Sequence, residues 1–191
     1  MAMIRLAILR HAPARSDGRM AGRRDVDADC SDAPALAAMA RRIQALFAAS
    51  PAVLSSPARR CLQTAAALGL PAPPTDAALW EQDFGLWEDL PPRDLPDLGP
   101  LPPQELARHR PEGGESFDDM TARAVALLQP INRDTLIIAH AGTVRAALSL
   151  VVGPAALSFA VAPLSLSVFH RLDLQDAAPV WSVQAVNLPP L

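Results

Sequence analysis

Two histidines stand directly after short apolar runs. His11, preceded by Arg10, follows residues 4–9, and His140 follows Leu136-Ile137-Ile138-Ala139. Runs of this length read as buried strands, and in an open α/β sheet the carboxyl ends of strands border the ligand crevice. Two more runs fit the pattern: Val53-Leu54-Ser55-Ser56-Pro57 leads into Arg59-Arg60, and Ala77-Ala78-Leu79-Trp80 ends on Glu81. Four strand ends are therefore expected to bring Arg10 with His11, Arg60, Glu81 and His140 together. A nucleophilic imidazole, guanidinium groups and a carboxyl group in one place suit transfer of a phosphoryl group through a histidine.

The elements that must carry these residues are legible in outline. Apolar runs alternate with helical patterns, which predicts a single α/β domain over 1–191 with a mostly parallel central sheet and helices on both faces. Strands are expected at 4–9, Ala52–Ser55, 77–80, Thr135–Ala139, 168–172 and 180–186. Residues 33–49 place Leu36, Met39, Ala40, Ile43, Leu46 and Phe47 on one side of an amphipathic helix. Ser56 is expected to cap a helix with Pro57 in its first turn, which puts Arg59 and Arg60 beside the positive helix end. A helix should begin near Glu115 and run to Gln129, and another should span 143–152. The loop 12–32 is long and polar, as functional loops are. Residues 89–114 hold seven prolines and three glycines among 26 positions, which marks a loop or lid with at most a short helix.

Composition removes several function classes. The chain has 191 residues, half of them apolar, and a formal net charge of −3, so no basic face for nucleic acid is implied. All 17 basic residues are arginine. Lysine-dependent chemistry, such as P-loop phosphate binding and Schiff-base or pyridoxal-phosphate catalysis, is thereby excluded. Arginine serves bidentate phosphate contacts well, although a GC-rich genome produces the same bias. Cys30 and Cys61 form neither a CxxC pair nor a zinc spacing, which predicts reduced thiols and a cytoplasmic protein without a secretory signal. Residues 146–169 carry no charge, but Gly153-Pro154 and Pro163 break the stretch, so no membrane partner is expected.

Each site residue also has a plainer reading. A buried histidine satisfied by hydrogen bonds is about as common as a catalytic one, and the plainer reading of Glu81 is a surface ion-pair partner. Metal ligation by His11 and His140 would need a third ligand, and no HExxH or HxH motif supplies one. Neither a metal nor a cofactor is expected. His109, in the proline-rich segment, and His170, between Phe169 and Arg171, lie away from strand carboxyl ends and read as structural or surface residues.

Taken in chain order, the motifs resemble a known family. Leu9-Arg10-His11-Ala12 is similar to the Arg-His-Gly signature of the histidine phosphatase superfamily, in its phosphoglycerate-mutase-like branch. The likeness continues through Ser55-Ser56-Pro57-Ala58-Arg59-Arg60-Cys61-Leu62-Gln63-Thr64-Ala65, Glu81-Gln82-Asp83-Phe84-Gly85-Leu86-Trp87-Glu88, Pro111-Glu112-Gly113-Gly114-Glu115-Ser116 and His140-Ala141-Gly142. In the family the catalytic arginine of the second motif precedes its threonine by four positions, so Thr64 selects Arg60. The resemblance implies His11, Glu81 and His140 as catalytic residues and Arg10, Arg60, His140, Ala141 and Gly22 as phosphate-binding ones. Two departures stand out. Ala12 replaces the family's glycine and must avoid positive φ, and Asp17, near a phosphate-contacting asparagine of relatives, must turn away or bind an arginine.

The mechanism this implies has an unprotonated His11 nitrogen attacking phosphorus, with Arg10, Arg60 and a protonated His140 around the equatorial oxygens. Glu81 acts as acid and then as base, and no metal takes part. The partner is a small-molecule phosphomonoester, with a homodimer left open. The compact first loop and the Glu-Gly-Gly-Glu-Ser segment are similar to those of bacterial α-ribazole phosphatases of cobalamin assembly, but residues 91–110 lack their lid aromatics. A broad sugar or metabolite phosphatase is the nearest alternative. A phosphoglycerate mutase fits less well because the longer insertions are missing. An inactive phospholigand-binding module is the alternative of another class.

Overall fold

The structure, a computed structural model, describes residues 3–174 and 178–190. Five strands, β1 (Met3–Arg10), β2 (Ala52–Ser55), β3 (Thr135–Ala139), β4 (Leu166–Leu172) and β5 (Val180–Leu188), form one sheet in the order β2-β3-β1-β4-β5. β2, β3 and β1 are parallel, as expected of the sheet's core, and β4 and β5 extend it in antiparallel fashion. β3 is buried at all five positions, and Leu6 to Leu9 of β1 are buried without a break. Strands covered on both faces need such continuous apolar runs, which is why these two read so clearly in the sequence.

Side chains alternate between two layers of helices. Ala7, Leu9, Leu136 and Ile138 pack against Leu36, Met39 and Ile43 of α1 (Ala33–Leu46) and against Cys61 and Ala65 of α2 (Arg59–Ala67). Leu6, Ile8, Ile137 and Ala139 face the other layer, where Leu128 of α4 (Phe117–Leu128) and Val144, Ala147 and Leu148 of α5 (Ala141–Val152) meet them. The predicted three-layer α/β/α arrangement is what forms. The stretch Ala141–Ser158 is long and apolar enough to cross a bilayer by length and composition alone, and its inner face fills this second layer.

Several boundaries depart from the sequence expectation, each for a local reason. Residues 77–80 are not a strand: Ala77–Leu79 is a 3-10 turn whose first N–H groups are capped by Asp76, which accepts from the Ala78 amide at 2.7 Å. Small alanines offer a sheet little to pack, whereas a capping aspartate favours the turn. The segment pairs with the sheet only briefly among the described residues, through an isolated bridge of Thr75 to Ser55 flanked by hydrogen bonds of Ser55 with the Pro74 carbonyl and the Asp76 amide. Glu81 therefore reaches the site from a turn and not from a strand end. Ala58, not Ser56, occupies the N-cap of α2, and Arg59 and Arg60 still begin the helix. α1 stops at Leu46 because Phe47 becomes extended and is itself buried. Ser116 and Asp119 form a capping box, so α4 starts at Phe117 and leaves Glu115 outside it. α5 starts two residues earlier than periodicity predicts, with His140 at its N-cap.

The proline-rich segment holds a 3-10 turn at Pro92–Asp94 and the short α3 (Pro103–Arg108). Ala107 of α3 is buried with Phe117, Met120 and Ala124 of α4 and Ala146 of α5. His109, next along, stacks on Trp87 at 5.3 Å between ring centres.

Candidate active site

β1 and β3 run side by side in parallel, so their carboxyl ends deliver His11 and His140 to one place. The His11 amide donates to the Ala139 carbonyl at 2.9 Å, and the two rings meet edge to face with centroids 5.2 Å apart. Both are buried, His11 at 4% exposure and His140 at 0%.

Their partners fix the tautomers. His11 Nδ1 lies 2.6 Å from the Ala12 carbonyl oxygen, which only accepts, so Nδ1 carries the proton. Nε2 is left with its lone pair and accepts from Arg60 Nε at 3.2 Å. Burial, with Arg60 and Arg10 alongside, outweighs the Ala12 hydrogen bond and pushes the His11 pKa down to about 3. His11 is thus held neutral with Nε2 as its free nucleophilic nitrogen.

His140 is oriented the other way. Its Nδ1 faces Arg60 Nη2 at 3.3 Å and must accept, so its Nε2–H donates to the Ser56 hydroxyl at 2.9 Å. Full burial first, then the charges of Arg60, Arg10 and Arg123 and the neighbouring His11, hold its pKa well below the ordinary histidine value. His140 is therefore neutral in the free protein, whereas the expected protonated form is that of the phosphoryl-bound site. In the absence of an anion, a second positive charge beside Arg60 is unfavourable in a buried site.

Arg60 links the two histidines. It is 1% exposed, and Nη1 and Nη2 donate to the carbonyl oxygens of Arg24 (2.9 Å) and Gly22 (2.7 Å) while Nε faces His11. Arg59 points outward to Asp27 instead. Gly22, expected among the phosphate-binding residues, thus enters the site through a carbonyl that holds Arg60. Its φ of +46° and a site for Cβ only 2.3 Å from Glu88 Oε1 exclude a side chain there without rearrangement. Glu88 accepts from the amides of Arg23 (2.6 Å) and Arg24 (2.8 Å) and so fixes this turn.

Arg10 bonds the Val161 carbonyl through Nη1, and its buried Nε has no partner among the described residues. Glu81 sits across the site at the start of α5, where its carboxylate accepts from the Gly142 amide at 3.2 and 3.4 Å. A helix N-terminus favours negative charge. Ala141 is the first helical residue beside it, and its amide belongs to the first-turn donors that have no partner within a helix. The Ala12 methyl is accommodated: the residue avoids positive φ, is buried, and its amide donates to Thr64 Oγ1 at 2.9 Å. Asp17 is exposed in a left-handed turn, in keeping with its being turned away. His109 and His170 lie outside the cluster, His170 paired with Arg5 in the β1–β4 register.

Sequence reasoning did not find Ser56 as the partner of His140, Glu88 as the holder of the 22–24 turn, or Arg123. Arg123 is on α4 and donates to the carbonyls of Ala78, Trp80 and Glu81. Ser56 carries a weak signal as the serine before the Pro57 helix start; the other two carry none locally.

A neutral buried imidazole with one unprotonated nitrogen, framed by guanidinium groups and with a carboxylate nearby at a helix end, is an arrangement chemically suited to phosphoryl transfer. The chain belongs to the histidine phosphatase superfamily, branch 1, whose sequence profile matches residues 6–185. Among solved structures, one called mycobacterial hydrolase 2 superposes with a TM-score of 0.84 at 23% identity, covering 100% of this chain and 93% of its own. A mycobacterial glucosyl-3-phosphoglycerate phosphatase gives 0.80 at 24% identity, with 97% of this chain and 99% of that chain covered. The Rv3214 protein of Mycobacterium tuberculosis gives 0.77 at 25% identity, with coverages of 98% and 99%. A search of the curated proteins finds no match.

Proposed function

We propose that this protein hydrolyses small-molecule phosphomonoesters through a phosphohistidine on His11, without a metal. The observation that carries the reading is the pair of contacts on His11, with Nδ1–H tied to the Ala12 carbonyl and Nε2 unprotonated, its lone pair turned to the Arg60 Nε–H. With Glu81 entering the step as the carboxylic acid, Nε2 attacks phosphorus, the P–O bond to the leaving group breaks, and Glu81 gives its proton to the departing oxygen and becomes a carboxylate. Water then attacks the phosphohistidine, Glu81 takes back a proton, and the P–N bond breaks to release phosphate and regenerate neutral His11. Arg10, Arg60 and His140 stabilise charge on the equatorial oxygens during both transfers, the role a metal plays elsewhere.

Glu88 and Glu115 are poor substitutes for Glu81, because Glu88 is engaged by backbone amides and Glu115 by Arg123. For the substrate, the likeness of the first loop, ending at Gly22-Arg23-Arg24-Asp25, to those of α-ribazole phosphatases favours α-ribazole 5′-phosphate. A sugar or metabolite phosphate is the second reading, favoured by the absence of Phe, Trp and Tyr from residues 91–110 and by the named activity of one structural relative. The test is phosphate release from a panel that includes p-nitrophenyl phosphate, α-ribazole 5′-phosphate and sugar phosphates, before and after exhaustive chelation. Turnover that survives chelation and is inhibited by vanadate is expected. Failure to release phosphate from any ester, or loss on chelation restored by one divalent ion, would contradict the proposal.

A further inference from the structure

Glu81 is the one proposed catalytic side chain that the sheet does not position, since residues 77–80 form a turn. Its placement comes from α4. Arg123 lies on the face of α4 toward that turn, with its side chain 21% exposed, and all five of its N–H donors are used. Nη1 reaches the carbonyl oxygens of Ala78 and Trp80, each at 2.7 Å. Nη2 reaches the Glu81 carbonyl at 2.9 Å and Glu115 Oε1 at 2.5 Å, and Nε reaches Glu115 Oε2 at 3.1 Å. A planar guanidinium is the only side chain with five donors in a fixed fork.

Glu115 completes the frame. Oε1 also accepts from the Asp83 amide at 3.0 Å, the Glu115 amide donates to the Asp83 carbonyl, and its own carbonyl accepts from Gln82 Nε2 at 2.8 Å. Burial disfavours its charge, but hydrogen bonds from Arg123 and Asp83 and the charges of Arg123 and Arg23 prevail and hold its pKa below the ordinary value. Residues on both sides of Glu81 are thus clamped to a charged pair. The Glu81 carboxylate is left at the Gly142 amide, so close that a Cβ on Gly142 would lie 2.1 Å from Oε1.

We infer that Arg123, braced by Glu115, is the positioning residue for proton transfer by Glu81; the inference rests on the phosphatase reading above. Arg123 touches no reacting atom. It sets where the carboxylate stands, so its loss should impair the steps that need Glu81 and spare those that need only His11 and the arginines.

The test combines Arg123→Gln and Arg123→Lys with Glu81→Gln in a double-mutant cycle. Each variant is assayed on an alkyl phosphate, whose leaving oxygen needs a proton, and on p-nitrophenyl phosphate in a first-turnover burst. A carboxylate displaced by about 1 Å predicts a kcat loss on the order of 10²-fold for the alkyl ester in Arg123→Gln. The burst rate and vanadate inhibition should stay within about threefold of wild type. Arg123→Lys keeps the charge without the fork and should fall between the two. In the Glu81→Gln background, Arg123→Gln should add little further loss. Should Arg123→Gln fail to fold, Arg123→Lys carries the same cycle. Equal loss on both esters and in vanadate affinity, or losses that multiply with Glu81→Gln, would overturn the inference and leave the phosphatase reading standing. Wild-type protein that turns over neither ester would overturn both.

Discussion

His11 and His140 are the same residue type 5.2 Å apart, and their chemistry differs because their nitrogens face different atoms. His11 gives its Nδ1 proton to a carbonyl and keeps Nε2 as a base; His140 gives its Nε2 proton to Ser56 and turns Nδ1 to Arg60. A bound phosphoryl group or vanadate adds negative charge beside His140 and cancels much of the guanidinium field that keeps it neutral. Its pKa must therefore rise on anion binding. Histidine nitrogen chemical shifts followed against pH should show a neutral His140 in the free protein at pH 7 and a higher pKa when vanadate is bound. A ring already charged at pH 7 without an anion would contradict this account. The sequence motif implies the protonated form around a bound phosphoryl group, while the neutral form of the free protein follows from burial and from the position of Arg60, set by contacts up to 80 positions apart.

At the scale of elements, the legible parts were those with local signatures. β3 and the core of β1 are unbroken apolar runs that end on the functional residue, and the helix carrying Arg60 opens next to Ser56-Pro57. Residues 77–80 misled because a short apolar run serves equally as a turn that buries one side chain, here Leu79, and the Asp76 cap distinguishes them. Arg123 carried no signal because its carbonyl partners lie 42 to 45 positions away. The turn at 22–24 offers a sharp test. Gly22→Ala must relieve both its left-handed backbone and an overlap with Glu88 and the Gln82 carbonyl, which shifts the carbonyl oxygens that hold Arg60. It should weaken vanadate inhibition and lower kcat by roughly tenfold to a hundredfold. Gly18→Ala, with comparable φ but open space around it, should lose only about 1 kcal/mol of stability and keep its activity. Equal activity in the two variants would show that this turn does not hold Arg60.

The whole molecule carries a consequence of burying two neutral histidines. Both have folded-state pKa values below the ordinary histidine value, His11 down to about 3. Neutral burial is fully stabilising above the unfolded pKa of about 6.5, and the stability is lost as pH falls through the window below it. Each group adds a slope of up to about 1.4 kcal/mol per pH unit in that window. Glu115, with its lowered pKa, acts in the same direction at lower pH, losing its contribution as it protonates. Urea unfolding at several pH values should therefore show stability falling steadily from about pH 6.5 toward pH 4.5, with a shallower fall in His11→Asn. Parallel curves for the two proteins would mean that His11 is not held neutral by the fold.

The most direct test of the central claim is to identify the covalent intermediate. Enzyme mixed with labelled p-nitrophenyl phosphate and quenched within the first turnover should carry an acid-labile, alkali-stable phosphoryl group on Nε2 of His11. The group should accumulate further in Glu81→Gln and be absent from a folded His11→Ala that no longer turns over. Label on a serine, cysteine or carboxylate, or hydrolysis that persists in His11→Ala, would contradict the account.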